Sequence, residues 1–161
     1  MDVCEVGSEV RAGVHAALIA GLVLTGCSKR PVNEADEFVT KLGTAEVTAQ
    51  LIEIPGKFPS NDLYNYAFIL KYKVLKVHRG NIPAHGEILV GQYNPLKPRE
   101  QAADDDSGKI GGHLTAFRAG DIHRMALESP LDKLYMGGIV DKYFGVAGTR
   151  YWAVWTNPGA E

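Results

Sequence analysis

The side chains best suited to metal chemistry are a few histidines and aspartates in the second half of the chain. His113, Asp121 and His123 lie where a long irregular stretch meets a predicted strand. Imidazole nitrogens and carboxylate oxygens together suit zinc or copper, so these three residues are a candidate metal site. Their spacing along the chain does not itself bring them together. Apart from this candidate, we expect no metal and no cofactor.

Motifs that mark common hydrolytic and nucleotide chemistry are missing from the sequence. No serine lies within Gly-x-Ser-x-Gly, no His-Glu-x-x-His occurs, and no glycine-rich phosphate loop precedes a helix. The acidic run Asp104–Asp106 lacks the alternating oxygen ligands and the final glutamate of a calcium loop. We interpret it as a solvated acidic turn.

Aromatic side chains near two strand ends are candidates for a binding surface. Strict alternation along the last strand places Trp152 on the face opposite Tyr151 and Trp155. These rings are either buried on both faces of a sheet or form a platform for a glycan or a partner protein. The candidate binding residues are Tyr93, Asn94, His113, Tyr151, Trp152 and Trp155.

Alternation of apolar and polar side chains predicts the five strands that position these residues. From Tyr66 to Val74 the even positions are apolar or aromatic, and lysines fall between them. From Leu75 onward the apolar residues occupy odd positions, which predicts a bulge near Lys73 to Leu75. The predicted strands are 44–54, 64–78, 87–93, 122–127 and 150–156.

Turn-forming residues predict the segments between the strands. The stretch 94–120 is rich in proline, glycine and acidic residues, and an irregular segment of this length is typical of a binding loop or of disorder. A short helix capped by Asn33 is predicted to end at Gly43. Residues 131–144 begin with helical spacing and continue as a strand or an irregular segment.

Five strands, the second of them long and bent, resemble an oligonucleotide/oligosaccharide-binding (OB) barrel, and a two-sheet β-sandwich is the alternative. The runs FILKYKVLKVHRG and FRAGDIHRMAL are similar to the barrel of netrin-like and metalloproteinase-inhibitor domains. The disulfides that staple those domains are missing, so no inhibitory activity is carried over. We expect a mainly β fold, a small five-stranded OB-like barrel with one or two short helices and a long loop.

The N-terminus carries the pattern of an export signal. The nine residues Ala16–Leu24 (AALIAGLVL) form an unbroken apolar run. This run is too short for the roughly 20 residues of a membrane-spanning helix but is typical of a secretory signal. Asp2, Glu5 and Glu9 precede Arg11, contrary to the positive start of such signals, so we expect translation to begin near Val10.

The tetrad Leu24-Thr25-Gly26-Cys27 resembles the lipobox of bacterial lipoproteins. The resemblance implies cleavage before Cys27 and attachment of diacylglycerol to its thiol. Acyl chains that each add about 0.8 kcal/mol of membrane affinity per buried methylene anchor a domain without a spanning helix. Ser28 stands where an aspartate favours the inner membrane, so the resemblance implies the periplasmic face of the outer membrane.

Cysteine content and charge narrow the function further. Cys4 lies in the leader and Cys27 carries the lipid, so the mature domain has no free thiol for catalysis, redox exchange or metal binding. Removing the leader takes away one of the 17 basic side chains and three of the 19 acidic ones, so residues 27–161 are formally neutral. A neutral domain provides no field that attracts nucleic acid, and we expect no nucleic-acid partner.

The sequence therefore predicts three parts, a signal peptide over 1–26, a lipidated tether over 27–43 and a single β domain over 44–161. We expect a lipid-anchored module of the cell envelope that is not an enzyme. It would bind an envelope protein or a glycan through the long loop and the barrel rim. The alternative is a small periplasmic carbohydrate-active or metal-dependent hydrolase that uses Asp104–Asp106, Asp121, His113 or His123.

Overall fold

The computed structural model describes residues 36–56, 65–105 and 107–161. Within these ranges the chain forms one short helix, six strands and two single-turn 3₁₀ helices, the latter at Arg99–Gln101 and Leu131–Lys133. The helix and strands are α1 (Glu37–Lys41), β1 (Ala45–Glu53), β2 (Ala67–Arg79), β3 (Glu87–Tyr93), β4 (Ile122–Glu128), β5 (Ile139–Val140) and β6 (Arg150–Pro158).

Five of these strands close into a barrel. Their order around the ring is β1-β4-β6-β3-β2, and β2 pairs with β1 to complete it. β3 and β6 run parallel, whereas the other neighbours in the ring are antiparallel. β5 adds to β2 outside the ring in a parallel pairing. The predicted OB-like barrel is confirmed, and the sandwich alternative is wrong because the ring of paired strands is continuous.

The strand positions follow from the alternation in the sequence. β3 has the predicted bounds, β1 is one residue shorter than predicted at each end, and β4 is one residue longer at its end. β6 runs beyond Thr156 because Asn157 and Pro158 still pair with β4. β2 extends to Arg79, and the predicted start at residue 64 lies outside the described residues.

The predicted bulge in β2 is confirmed. Val74 pairs with Ala49 and Lys76 pairs with Thr48, so Leu75 is an extra residue between two pairs. The extra residue reverses the sides to which the following side chains point, as the change of phase in the sequence requires.

The two predicted helices are shorter than expected. Asp36, not Asn33, caps α1, because the Oδ1 atom of Asp36 accepts a hydrogen bond of 2.9 Å from the backbone N–H of Phe38. Asn33 itself lies outside the described residues. The helical spacing after residue 130 produces only the 3₁₀ turn at Leu131–Lys133, followed by the irregular segment that contains β5.

The barrel interior is apolar apart from one polar group of side chains. His123 is fully buried, with Nδ1 3.1 Å from the Oη atom of Tyr72, and the ring of Phe117 meets its imidazole edge-on. Gln92 donates hydrogen bonds to the Sδ atom of Met125 and to Oγ1 of Thr156. These contacts satisfy polar atoms that would be costly to bury alone, whereas Nε2 of His123 has no hydrogen-bond partner among the described residues.

A second core lies outside the barrel, on the outer face of β2, β3 and β6. Side chains of the long loop and of the segment after β4 cover this face. OB folds bind ligands on the face of strands 2 and 3, and here the polypeptide itself occupies it. The buried members of this outer core are Ala67, Ile69, Leu89, Tyr93, Ala102, Ile110, Leu131, Tyr135, Tyr143, Trp152 and Val154.

The long loop is bonded to the barrel along much of its length. The backbone N–H of Gly111 donates to Val154, and Thr156 donates to Gly111, both at 2.9 Å. Arg99, only 2% exposed, donates to the carbonyls of Asn94 and Lys97, and its guanidinium lies over the ring of Phe117. The loop is therefore a structural cover of the barrel.

The buried histidine predicts a loss of stability in acid. Burial, with the charge of Arg99 second, holds the pKa of His123 at about 4, below the 6.5 of a free histidine. Between these values the unfolded chain binds a proton that the folded chain does not, so stability is complete above pH 6.5 and falls as the pH drops to about 4. We expect this group to reduce the free energy of unfolding by about 3 kcal/mol over that window, measured by urea unfolding at a series of pH values.

The matched variant for this experiment is His123→Gln. Asp36 and His78, whose pKa values are also lowered in the fold, remain in both proteins, so the difference in pH slope isolates residue 123. The variant should show a flatter dependence on pH. An unchanged slope in the variant would refute the role of His123.

Candidate functional site

Two of the predicted platform residues belong to the outer core. Tyr93 is 1% exposed and Trp152 is 4% exposed. Tyr135 stacks on Trp152 with ring centroids 5.0 Å apart and meets Tyr93 edge-on at 5.4 Å. Asn94 follows in a left-handed conformation (φ 45°), and its Nδ2 atom donates to the carbonyl of Ala102. The rings of Tyr93 and Trp152 are therefore packed inside the outer core, and Tyr93 and Asn94 bond the start of the long loop to Asp104 and Ala102.

The other two aromatic residues are half-buried on different sides of the barrel wall. Tyr151 packs against the interior, and burial raises the pKa of its hydroxyl. Trp155 lies outside and stacks on Phe38 at 4.7 Å. The expectation that Trp155 lies opposite Trp152 is wrong, because Ala153 pairs with Leu127 and Trp155 with Ala126, leaving Val154 as a bulge residue.

The carboxylate of Asp36 joins α1 to β6. Its Oδ2 atom accepts hydrogen bonds from Nε1 of Trp155 at 2.8 Å and from Nδ2 of Asn157 at 2.6 Å. Burial alone would raise the pKa of Asp36, but the hydrogen bonds from Asn157, Trp155 and the backbone of Phe38 outweigh it and hold this pKa below its usual value. Asp36 is therefore ionised at neutral pH and fixes the point at which the chain enters the barrel.

The structure does not bring the candidate metal ligands together. His123 points into the barrel, whereas His113 lies outside, 53% exposed, with Asp36 and Glu100 at 3.5 and 3.2 Å from its ring nitrogens. Asp121 forms a backbone turn, accepting from the N–H of Leu51 and donating to Arg118. Among the described residues, no group of three or more histidine, cysteine, aspartate or glutamate side chains is placed to hold a metal ion.

The acidic run has a structural role in its described part. Asp104 accepts hydrogen bonds from the hydroxyl of Tyr93 at 2.6 Å and from the backbone N–H of Ser107 at 3.0 Å. Asp105 is exposed, and Asp106 lies outside the described residues. Asp104 thus ties the long loop to the end of β3.

The surface that the sequence did not reveal lies between β4 and β6. Five of the seven large apolar side chains exposed in the described part of the chain fall within residues 134–146. Met136 and Phe144 are each 89% exposed. We call these five side chains the apolar surface, and they are Leu134, Met136, Ile139, Phe144 and Val146.

Arg150 holds the loop that carries part of this surface. Its Nη1 atom donates to the carbonyls of Val146 and Gly148 at 2.7 and 2.9 Å, and Nη2 donates to the carbonyl of Tyr143 at 2.6 Å. Nε donates to Asp141 at 3.1 Å, and the same carboxylate accepts from the backbone of Tyr143. Several charge-assisted hydrogen bonds from one side chain hold Phe144 and Val146 in a defined position.

A groove of about 540 Å³ runs beside this loop. Its walls include the 3₁₀ turn after β4 on one side and residues 144–150 on the other. Its apolar lining comes from Ile69, Pro130, Leu131, Ile139 and Phe144. Such a groove next to exposed apolar side chains has the character of a protein-binding surface.

Comparison with protein-family models, with curated proteins and with solved structures finds no match for this chain. In the part of the chain that the structure describes, no helix has the length and apolar character needed to span a membrane. The fold and the candidate site define a small OB-like barrel whose strand 2–3 face is covered and whose exposed apolar surface lies partly on an arginine-held loop.

Replacing Arg150 should loosen the loop without unfolding the barrel. Arg150→Gln removes the charged donors to Tyr143 and Asp141, and we expect a loss of about 1–3 kcal/mol of stability. Amide hydrogen exchange over residues 141–149 should become faster, while exchange in β1 and β4 stays slow. Arg118→Gln is the control, because it removes the charge of an exposed arginine that lies before β4, outside the loop that Arg150 holds. Unchanged exchange over 141–149 in Arg150→Gln would contradict this role.

Proposed function

We propose that this protein is a lipid-anchored module of the bacterial cell envelope that binds a partner protein through the apolar surface and is not an enzyme. The observation that carries the proposal is the concentration of exposed apolar side chains within residues 134–146, of which Phe144 and Val146 lie on the loop that Arg150 holds in place. Isolated apolar residues on a surface are ordinary, but a cluster next to an apolar groove favours an interaction site.

The sequence supports the proposed location in the cell envelope. The apolar run before Leu24-Thr25-Gly26-Cys27 and the serine at position 28 favour an acylated Cys27 at the periplasmic face of the outer membrane. The signal peptide, Cys27 and the tether up to residue 35 lie outside the described residues. The netrin-like likeness concerns the barrel alone, and we propose no inhibitory activity from it.

The described chain begins at the opposite end of β6 from Arg150. Asp36, the first described residue, is bonded to Trp155 and Asn157 near the end of β6, whereas Arg150 begins that strand. At about 3.3 Å per residue the two points are roughly 20 Å apart along β6. A domain tethered through residue 36 can therefore offer the loop to a partner.

The chemistry of the surface favours a protein over a glycan. Glycan sites combine flat aromatic faces with hydrogen-bonding groups, and the rings of Tyr93 and Trp152 are buried. The exposed apolar side chains around the groove are mostly aliphatic, and Phe144 is the aromatic residue among them. Charged residues of both signs lie in the same segment, namely Asp132, Lys133 and Lys142. An apolar centre with a charged rim is typical of protein interfaces. The hydrolase alternative has no supporting observation, since its candidate residues lie apart.

The partner-binding claim is tested with Met136→Ser/Phe144→Ser in the full chain. The double variant removes the two most exposed apolar side chains without touching the buried core, so it should fold normally. We expect affinity capture from detergent-solubilised envelopes to recover at least tenfold less of the co-purifying protein, the loss expected from two interface anchors. Quantitative mass spectrometry measures the recovery.

The control for capture is Leu96→Ser, which replaces a 60% exposed leucine in the long loop. This variant should capture the partner as the wild type does. Equal recovery by the double variant and the wild type would refute the proposed surface, and self-association of the chain would identify a second copy as the occupant.

The address is tested separately with Cys27→Ser. The acyl chains supply the membrane affinity of the wild type. Without the thiol no diacylglycerol can be attached, so the variant should be lost from the membrane fraction. Intact mass of the native protein should show residue 27 as an acylated N-terminus. A native protein that retains residues 1–26 and an unmodified Cys27 would contradict the proposed lipid anchor. It would not affect the partner-binding proposal, which the capture experiment tests.

A further inference from the structure

A cleft of about 410 Å³ lies on the outer side of β1, β4 and the end of β2. This part of the barrel lacks the outer core that covers β2, β3 and β6. Its lining includes Thr48, Lys76, His78, Arg124 and Glu161. Its volume is in the range of small-ligand sites.

Most of the polar groups in the cleft are hydrogen-bond donors or can donate. The Oγ1 atom of Thr48 and Nε2 of His78 are 2.8 Å apart. Arg124 is oriented by Glu46, whose Oε1 atom accepts from Nη2 at 2.6 Å and from Nε at 2.8 Å. Lys76 is exposed and has no ion pair among the described residues. A cluster of hydrogen-bond donors that includes cationic side chains is typical of a site that binds an oxyanion.

The wider basic row of β2 does not form a site for a polyanion. Lys71 lies 3.3 Å from Glu53 and 4.0 Å from Glu87, so its charge is already compensated. Arg79 donates to the carbonyls of Leu42 and Gly43 at the end of α1, both at 2.6 Å. In the cleft itself Arg124 is paired with Glu46, and Lys76 is the cation of the lining without an ion pair among the described residues, which suits a small group and not a long charged chain.

We infer that this cleft binds a small oxyanion group, a phosphate or a carboxylate, through Lys76, Arg124 and the Thr48–His78 pair. The carboxylate of Glu161 lines the cleft and opposes an anion there, but it makes no hydrogen bond or ion pair with the described residues. The inference is independent of the partner surface, which lies on a different part of the barrel.

The electrostatic setting of His78 supports a site for negative charge. Burial lowers the pKa of His78, the nearby charges of Arg124 and Lys76 lower it further, and Glu46 opposes them. A bound anion would offset the two cations and raise this pKa, since an opposite charge favours the imidazolium form. His78 is therefore a built-in reporter of occupancy.

The test is an NMR titration of His78 in the full chain in detergent micelles, with inorganic phosphate, with acetate, or with chloride at equal ionic strength. Phosphate or acetate should shift the midpoint of the His78 titration upward, and chloride should not. Lys76→Gln should weaken the response about tenfold, since one charged hydrogen bond is lost. Glu161→Gln should strengthen it, because it removes the opposing carboxylate.

Lys133→Gln is the matched control, because it removes the charge of an exposed lysine outside the cleft. Vesicles of phosphatidylglycerol distinguish the two sources of the oxyanion. If the site takes a lipid headgroup, the vesicles should shift the midpoint of the His78 titration as phosphate does. If it takes a free ligand, the vesicles should leave that midpoint unchanged. The inference is overturned if neither phosphate nor acetate shifts the midpoint beyond the chloride control. It is also overturned if Lys76→Gln responds like the wild type.

Discussion

The architecture depends on β2 pairing with two different neighbours. Residues 67–73 of β2 pair with β3, and residues 71–79 pair with β1. Because these two pairings are offset along the strand, β2 must be long, and bulges such as the one at Leu75 bend it from one neighbour toward the other. Without this double pairing the sheet would have two free edges.

Closure of the barrel also determines what the connections do. β6 lies parallel to β3, so the chain must cross the barrel between them and cannot return by a tight hairpin. The crossing segments supply Ile110, Leu131 and Tyr135 to the outer core and cover the face of β2, β3 and β6. That face is therefore occupied by the chain itself, whereas the apolar side chains of residues 134–146 stay exposed.

Alternation made the strands predictable, since each has one face turned to the barrel interior. The bulge in β2 was also predictable, because the sequence shows the change of phase after Val74. The bulge at Val154 was not, because aromatic residues at 151, 152 and 155 are compatible with either face. Burial of Tyr93 and Trp152 depended on chain segments that are distant in sequence and have no periodic pattern.

The candidate site was less predictable than the fold. Residues 134–146 are irregular, so no period indicates which apolar side chains are exposed, and the clustering of five of them was the only available signal. Arg150 acts mainly through backbone carbonyls, which leave no trace in residue types. The proposed metal ligands failed to converge because His123 occupies an inward position of β4 while His113 lies on the outer cover.

The most direct test of the central claim is photocrosslinking in living cells with a benzophenone amino acid at one position at a time. Placed at Phe144, the probe should form a covalent adduct with a discrete envelope protein, and placed at Leu96 it should not. Adducts of equal yield at both positions, or an adduct at Leu96 alone, would contradict the assignment of partner binding to the arginine-held loop.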